Sequence, residues 1–104
     1  MPDRWHFKNH YRIKDLLVLA DEGWTVVETD HGPSSYMSKG THGYDNALRS
    51  MHAIFLAQGP VFKIDYFSSV INNIDIYPLV AHILKLEPFN GIDGKLSNVQ
   101  GLLK

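Results

Sequence analysis

Gly40-Thr41-His42-Gly43-Tyr44-Asp45-Asn46, followed through Ala47-Leu48-Arg49-Ser50-Met51 into His52-Ala53-Ile54-Phe55-Leu56-Ala57-Gln58-Gly59-Pro60-Val61-Phe62, decides how this chain is read. It joins a glycine-flanked histidine to an apolar run. His52 to Ala57 has strand length, is stopped by Gln58-Gly59-Pro60, and predicts a buried strand. Just upstream, Gly40 and Gly43 open backbone conformations closed to other residues and allow close approach to a ligand. A neutral imidazole is the commonest metal ligand among side chains. Taken by itself, His42 is therefore either a metal ligand or a polar loop residue, because one histidine without a spaced partner does not define a site.

Outward from this stretch, Leu16-Leu17-Val18-Leu19-Ala20 lies between Asp15 and Asp21 as a continuous apolar run. That pattern predicts a strand buried on both faces of a largely parallel sheet. Trp24 to Thr29 has strand composition, and Gly23 marks a turn or bend before it. Asp30 to Asn46 reads as one long loop, of a length (above about 12–15 residues) that is usually functional or disordered. Towards the C-terminus, Asp75 is placed to cap a helix, and Pro78 is tolerable in a first turn where amides lack partners. Ile76, Leu79, Val80, Ile83, Leu84 and Leu86 form one apolar face, with Pro88 as the expected stop. Ser97 and Gln100 make a capping box for a short helix reaching Leu103. Three strands, two of them apolar on both faces, need cover on both sides of the sheet, yet one substantial amphipathic helix is available. The expected cover is a missing N-terminal part or another chain.

Composition narrows the function classes. The 104 residues are 44% hydrophobic and 12% aromatic, which suits one small globular unit. Ten basic against eleven acidic residues give a net charge of −1, which provides no overall positive field to gather nucleic acid or anionic lipid. No apolar stretch approaches the roughly 20 residues that span a bilayer, and the polar start Met1-Pro2-Asp3-Arg4-Trp5-His6 is not a signal peptide. Cysteine is absent, which removes disulfides and thiolate metal sites.

The quoted stretch resembles the nucleotide pyrophosphatase/phosphodiesterase family. There, a His-Gly-x-Asp-Asn segment precedes a Met-His-Ala-Ile-Phe-Leu-Ala-x-Gly-Pro-x-Phe strand. Arg12-Ile13, Leu19-Ala20-Asp21-Glu22-Gly23-Trp24, Ile74-Asp75-Ile76-Tyr77-Pro78-Leu79 and Leu102-Leu103-Lys104 are similar to the same family in matching order. Family members are several times longer, so the resemblance makes residues 1–104 the C-terminal part of a catalytic domain. The implied fold class is α/β, a partial alkaline-phosphatase-like α/β/α sandwich. The implied chemistry is hydrolysis of phosphodiester or pyrophosphate bonds in nucleotides or, in some members, phospholipid head groups. Two zinc ions assist, and an upstream Thr attacks phosphorus. The resemblance makes His42 the last histidine ligand of that two-zinc site, and it implies an extracellular or cell-surface setting. Because the Thr motif and the other ligands find no match here, the chain alone is expected to be inactive.

The remaining candidates are weaker. Asp45 either accepts a hydrogen bond from the free nitrogen of His42, fixing its tautomer, or serves as a loop Asp or turn cap. Asp30-His31-Gly32 mimics the family's Asp-His-Gly metal pair but follows, rather than precedes, the Ala-Asp-Glu-Gly-Trp segment, so it is set aside. Asp21 and Glu22 are adjacent, and on an extended backbone their side chains diverge. His6 and His10 have helical zinc spacing without other helix signals. Arg4, Lys8, Arg12 and Lys14 interleave with Trp5, Phe7 and Tyr11 in a pattern that suits single-stranded nucleic acid, but four basic residues on a near-neutral chain read as a solvated connector. A non-catalytic interaction module is the alternative from a different class, and a sulfatase or metal-dependent phosphomutase is the alternative within hydrolases.

Overall fold

A computed structural model describes residues 1–8, 10–27 and 40–104. They divide into two compact units, Met1–Ile54 and Phe55–Lys104.

The C-terminal unit is built on one helix. A 3-10 turn, Asn73–Asp75, runs directly into α1, Ile76–Ile83. Pro78 sits in the first turn of α1 and is buried with Leu79 and Ala81, where its missing N–H removes no intrahelical bond. Leu79, Val99 and Leu102 form the core, with Phe62, Ile71, Ile83, Leu96 and Leu103 packed against them. Two further 3-10 turns, Leu96–Asn98 and Gln100–Leu102, carry Val99 and Leu102 into place. The chain end then pairs antiparallel with Phe62: Lys63 N donates to Leu102 O at 3.0 Å and Lys104 N to Val61 O at 3.0 Å.

Asp75 organises this unit differently from the sequence expectation. It occupies the position before α1 but makes no side-chain capping bond. The preceding 3-10 turn holds it in the right-handed helical region (φ −79°, ψ −12°), whereas a capping residue needs extended backbone. Its fully buried carboxylate reaches instead across the unit. Oδ1 accepts from Lys95 N at 2.7 Å and Oδ2 from Asn98 Nδ2 at 3.1 Å. Gly94 makes the approach possible, because a Cβ there would lie 2.1 Å from the Ile74 carbonyl oxygen.

The end of α1 also departs from expectation. The helix stops before Pro88 because Lys85 adopts the left-handed conformation (φ 56°). Lys85 N donates to His82 O at 3.1 Å and Leu86 N to Ala81 O at 2.8 Å, the paired bonds of a Schellman motif with lysine where glycine is usual. Leu84 and Leu86 fall beyond the helix and are exposed. The Ser97/Gln100 capping box does not form: no side chain caps either C-terminal 3-10 turn, and no α-helix follows Ser97.

The expected strands are corrected as well. Among the described residues no ladder includes Leu16–Ala20, Trp24–Val27 or His52–Ala57, and the Phe62–Leu103 bridge is the β pairing found. Leu16, Ile54 and Leu56 are 81%, 82% and 83% exposed. A strand is one side of a hydrogen-bonded pair, and no described segment pairs with these runs. The α/β/α sandwich is thus not assembled by these residues.

In the N-terminal unit, Gly23 (φ 85°) takes the positive-φ position of a turn closed by Trp24 N donating to Asp21 O at 2.9 Å. A 3-10 turn over Asp3–Trp5 precedes the basic-aromatic stretch.

Candidate functional site

His42 lies in irregular backbone, is exposed, and is followed by Gly43 at φ 95°. That conformation is one that a side chain at position 43 would strain. Thr41 Oγ1 donates to the His42 carbonyl at 3.4 Å, and the imidazole ring has no hydrogen-bond partner among the described residues.

The three residues after Gly43 are each tied down. Tyr44 Oη donates to the Trp24 carbonyl at 3.0 Å. The Asp45 carboxylate receives Arg4 through two nitrogens, with Nε at 3.1 Å and Nη2 in a closer ion pair. Asn46 Nδ2 donates to the Arg4 carbonyl at 2.9 Å. Asp45 also folds its own turn, its Oδ1 accepting from Ala47 N at 2.9 Å and its carbonyl from Leu48 N at 3.0 Å.

These bonds stabilise the charged form of the Asp45 carboxyl. Its pKa is lowered from 3.8 to about 2, first by the Arg4 hydrogen bond and then by the Ala47 amide, against a small opposing effect of burial. The Trp5 indole N–H, buried without a hydrogen-bond partner among the described residues, adds to the lowering without reaching hydrogen-bond geometry. The Arg4 guanidinium also lies 5.7 Å from the Trp5 ring centroid, within cation–π range. No bond from His42 to Asp45 occurs among the described hydrogen bonds. What sequence reading missed is Arg4, grouped there with a solvated connector; 41 positions separate it from Asp45, and no local pattern links residues so far apart.

A cleft of about 290 Å³ lies beside the loop, lined by Trp5, Phe7, Leu17, Leu19, Gly43, Tyr44 and Asn46. Its aromatic and aliphatic wall with a few polar groups has the general character of a small-ligand site, near the lower end of the usual size. Among the described residues no group of three or more His, Cys or acidic side chains is placed to hold a metal ion. Imidazole suits zinc, so the residues fit one donor of a metal site. The Asp30-His31-Gly32 triplet lies outside the described residues. No helix among the described residues is long and apolar enough to cross a membrane.

Comparison with known proteins adds a second kind of observation. Residues 1–45 match the family model described as type I phosphodiesterase / nucleotide pyrophosphatase. The chain is 45% identical to the bis(5'-adenosyl)-triphosphatase enpp4 of Xenopus laevis, with 99% of this chain and 22% of that protein aligned. It is 43% identical to the ectonucleotide pyrophosphatase/phosphodiesterase family member 5 of Homo sapiens, over 99% of this chain and 21% of the relative. It is 42% identical to the venom phosphodiesterase of Naja atra, over 95% of this chain and 12% of the relative. The chain therefore spans about a fifth, or less, of the length of these relatives. No solved structure matches it.

Proposed function

We propose that this chain, whose resemblance to the nucleotide pyrophosphatase/phosphodiesterase family is borne out along nearly its whole length, is the C-terminal part of a zinc-dependent hydrolase of phosphodiester or pyrophosphate bonds. The observation that carries the reading is 45% identity over 99% of the chain to a bis(5'-adenosyl)-triphosphatase, together with an exposed imidazole on an anchored, glycine-flanked loop. In this reading the completed domain has the alkaline-phosphatase-like α/β/α architecture, and its substrate is a nucleotide or a related phosphodiester. The setting is extracellular or at the cell surface, a placement supported by the names of an ectonucleotide and a venom relative.

His42 would hold one of two zinc ions, and such a metal pair, when bound, would supply activation of a nucleophile and compensation of charge on the attacking and leaving oxygens. The chain's own residues hold that imidazole in place: Tyr44, Asp45 and Asn46 fasten the loop, and Gly43 gives it its turn. One imidazole cannot hold two metals, so residues 1–104 alone are inactive.

The test is a chimera in which this chain replaces the matching segment of the Xenopus laevis relative. The expected result is hydrolysis of a nitrophenyl nucleotide ester by the chimera and none by the isolated chain. A folded chimera without activity, or an active isolated chain, would overturn the proposal. The exposed Leu16, Val18, Ile54 and Leu56 favour a second reading, a non-catalytic interaction module. An inactive chimera, combined with folding of the chain that depends on a separate protein, would select that reading.

A further inference from the structure

We infer that Arg4 is a positioning residue for the His42 loop, acting through Asp45; this rests on the reading of His42 as a metal ligand. The loop after His42 and Gly43 makes three anchoring contacts, and two of them end on Arg4. Its guanidinium grips the Asp45 carboxylate with two nitrogens, and its backbone carbonyl accepts from Asn46 Nδ2 at 2.9 Å. The third, from Tyr44 to the Trp24 carbonyl, leaves the segment free to pivot. A single tether fixes a distance, while a planar two-nitrogen fork also fixes an orientation.

The Arg4 side chain is itself preorganised. It lies over Trp5, and the Asp3–Trp5 turn sets its backbone. About half of it is exposed, with its side chain at 49% and that of Asp45 at 25%. Exposed ion pairs of this kind add little stability, so the role that remains for the pair is geometric. Asp45 Oδ1, which accepts from Arg4 Nε, accepts from the Ala47 amide as well. Arg4 therefore reaches the His42 loop through a carboxylate that cannot easily turn away. Three or four positions along the backbone separate that anchor from the imidazole, so loss of the fork is felt at the ring.

The test uses the purified 104-residue chain and backbone ¹⁵N relaxation. In the wild type, Gly43 and Tyr44 should show order parameters near 0.85, the rigid-backbone value, and Arg4→Gln should lower them below about 0.6. Arg4→Lys, which keeps the charge without the fork, should fall between. Combining Arg4→Asp with Asp45→Arg should restore at least half of the lost order, a rescue that a general packing role for Arg4 would not give. The Arg4 Nε–H resonance should be shifted and protected in the wild type and lose both features in Asp45→Asn. If Arg4→Gln fails to fold, Asp45→Asn makes the same test with the arginine in place. Unchanged order at Gly43 and Tyr44 in both variants, or no rescue by the charge swap, would overturn the assignment. None of these signals involves zinc. A loop that loosens as expected in a protein whose His42 proves irrelevant to metal content would sink the ligand reading and leave the Arg4 assignment standing.

Discussion

Replacing Asp75 with Ala should strongly destabilise the C-terminal unit. The carboxylate accepts two bonds, from Lys95 N and Asn98 Nδ2, and is itself fully buried. Hydrogen bonds to a charged group contribute about 1.5–3 kcal/mol each, so two give a gross loss of roughly 3–6 kcal/mol. Lys95 and Asn98 are exposed residues whose donors regain water when the acceptor goes, and removing the carboxylate relieves its own burial. The net cost is then about 2–4 kcal/mol. A unit of roughly 50 residues carries on the order of 2.5–7.5 kcal/mol of total stability at typical per-residue values, so this single change removes from about a quarter to all of it. The assay is urea unfolding followed at the Leu79 and Val99 methyl resonances, with fluorescence of Trp5 and Trp24 reporting the N-terminal unit separately. Asp75→Asn should be intermediate, because one oxygen remains for Lys95 N while the new amide faces the Asn98 amide. Adding Asn98→Asp to it should recover part of the loss by restoring a donor–acceptor match. A cost below about 0.5 kcal/mol for Asp75→Ala, the range of surface substitutions, would mean that the buried carboxylate does not hold the unit together.

Two other changes follow from local geometry. Lys85→Gly should raise the stability of the same unit by roughly 0.5–1 kcal/mol, since Lys85 holds φ 56° and glycine adopts that region without the Cβ penalty; an unchanged or lower urea midpoint would count against the Schellman assignment. The Asp45 carboxyl should titrate near 2 in the folded chain, read from its ¹³Cγ shift. Because its folded pKa lies below the ordinary 3.8, the Arg4–Asp45 tie is fully present above pH 3.8 and is lost as pH falls from there through about 2. In Arg4→Gln the carboxyl should move back towards 3.8, and a titration that stays near 2 would contradict the assigned cause.

Legibility in the sequence followed the range of the interactions. The start of α1 near Ile76, the tolerance for Pro78, the core-facing Leu79 and Ile83, the turn at Gly23 and the placement of His42 on a loop all depend on residues within a few positions, and they were readable. The end of α1 was not, because the left-handed residue is Lys85 and not the glycine that announces a Schellman motif. Asp75 was correctly placed before the helix and wrongly aimed. Its partners lie 20 and 23 positions away, and only the packing of Gly94 on Ile74 brings them within reach. The apolar runs Leu16–Ala20 and His52–Ala57 announced surface that favours burial, but hydrophobicity does not encode which neighbour provides it. In the described residues those side chains stay exposed. The family resemblance was legible for a different reason: several ordered motifs identify a relationship whatever elements they form.

Elemental analysis of the chimera with the Xenopus laevis relative shows whether the proposed donation from the imidazole at position 42 to zinc takes place. Two zinc ions per molecule are expected in the parent chimera, and about one fewer in His42→Ala. Hydrolysis should fall by more than about 100-fold, the upper end of what a ligand's outer hydrogen-bonding partners cost when removed. A His42→Ala chimera that retains both metals and its rate would contradict that donation.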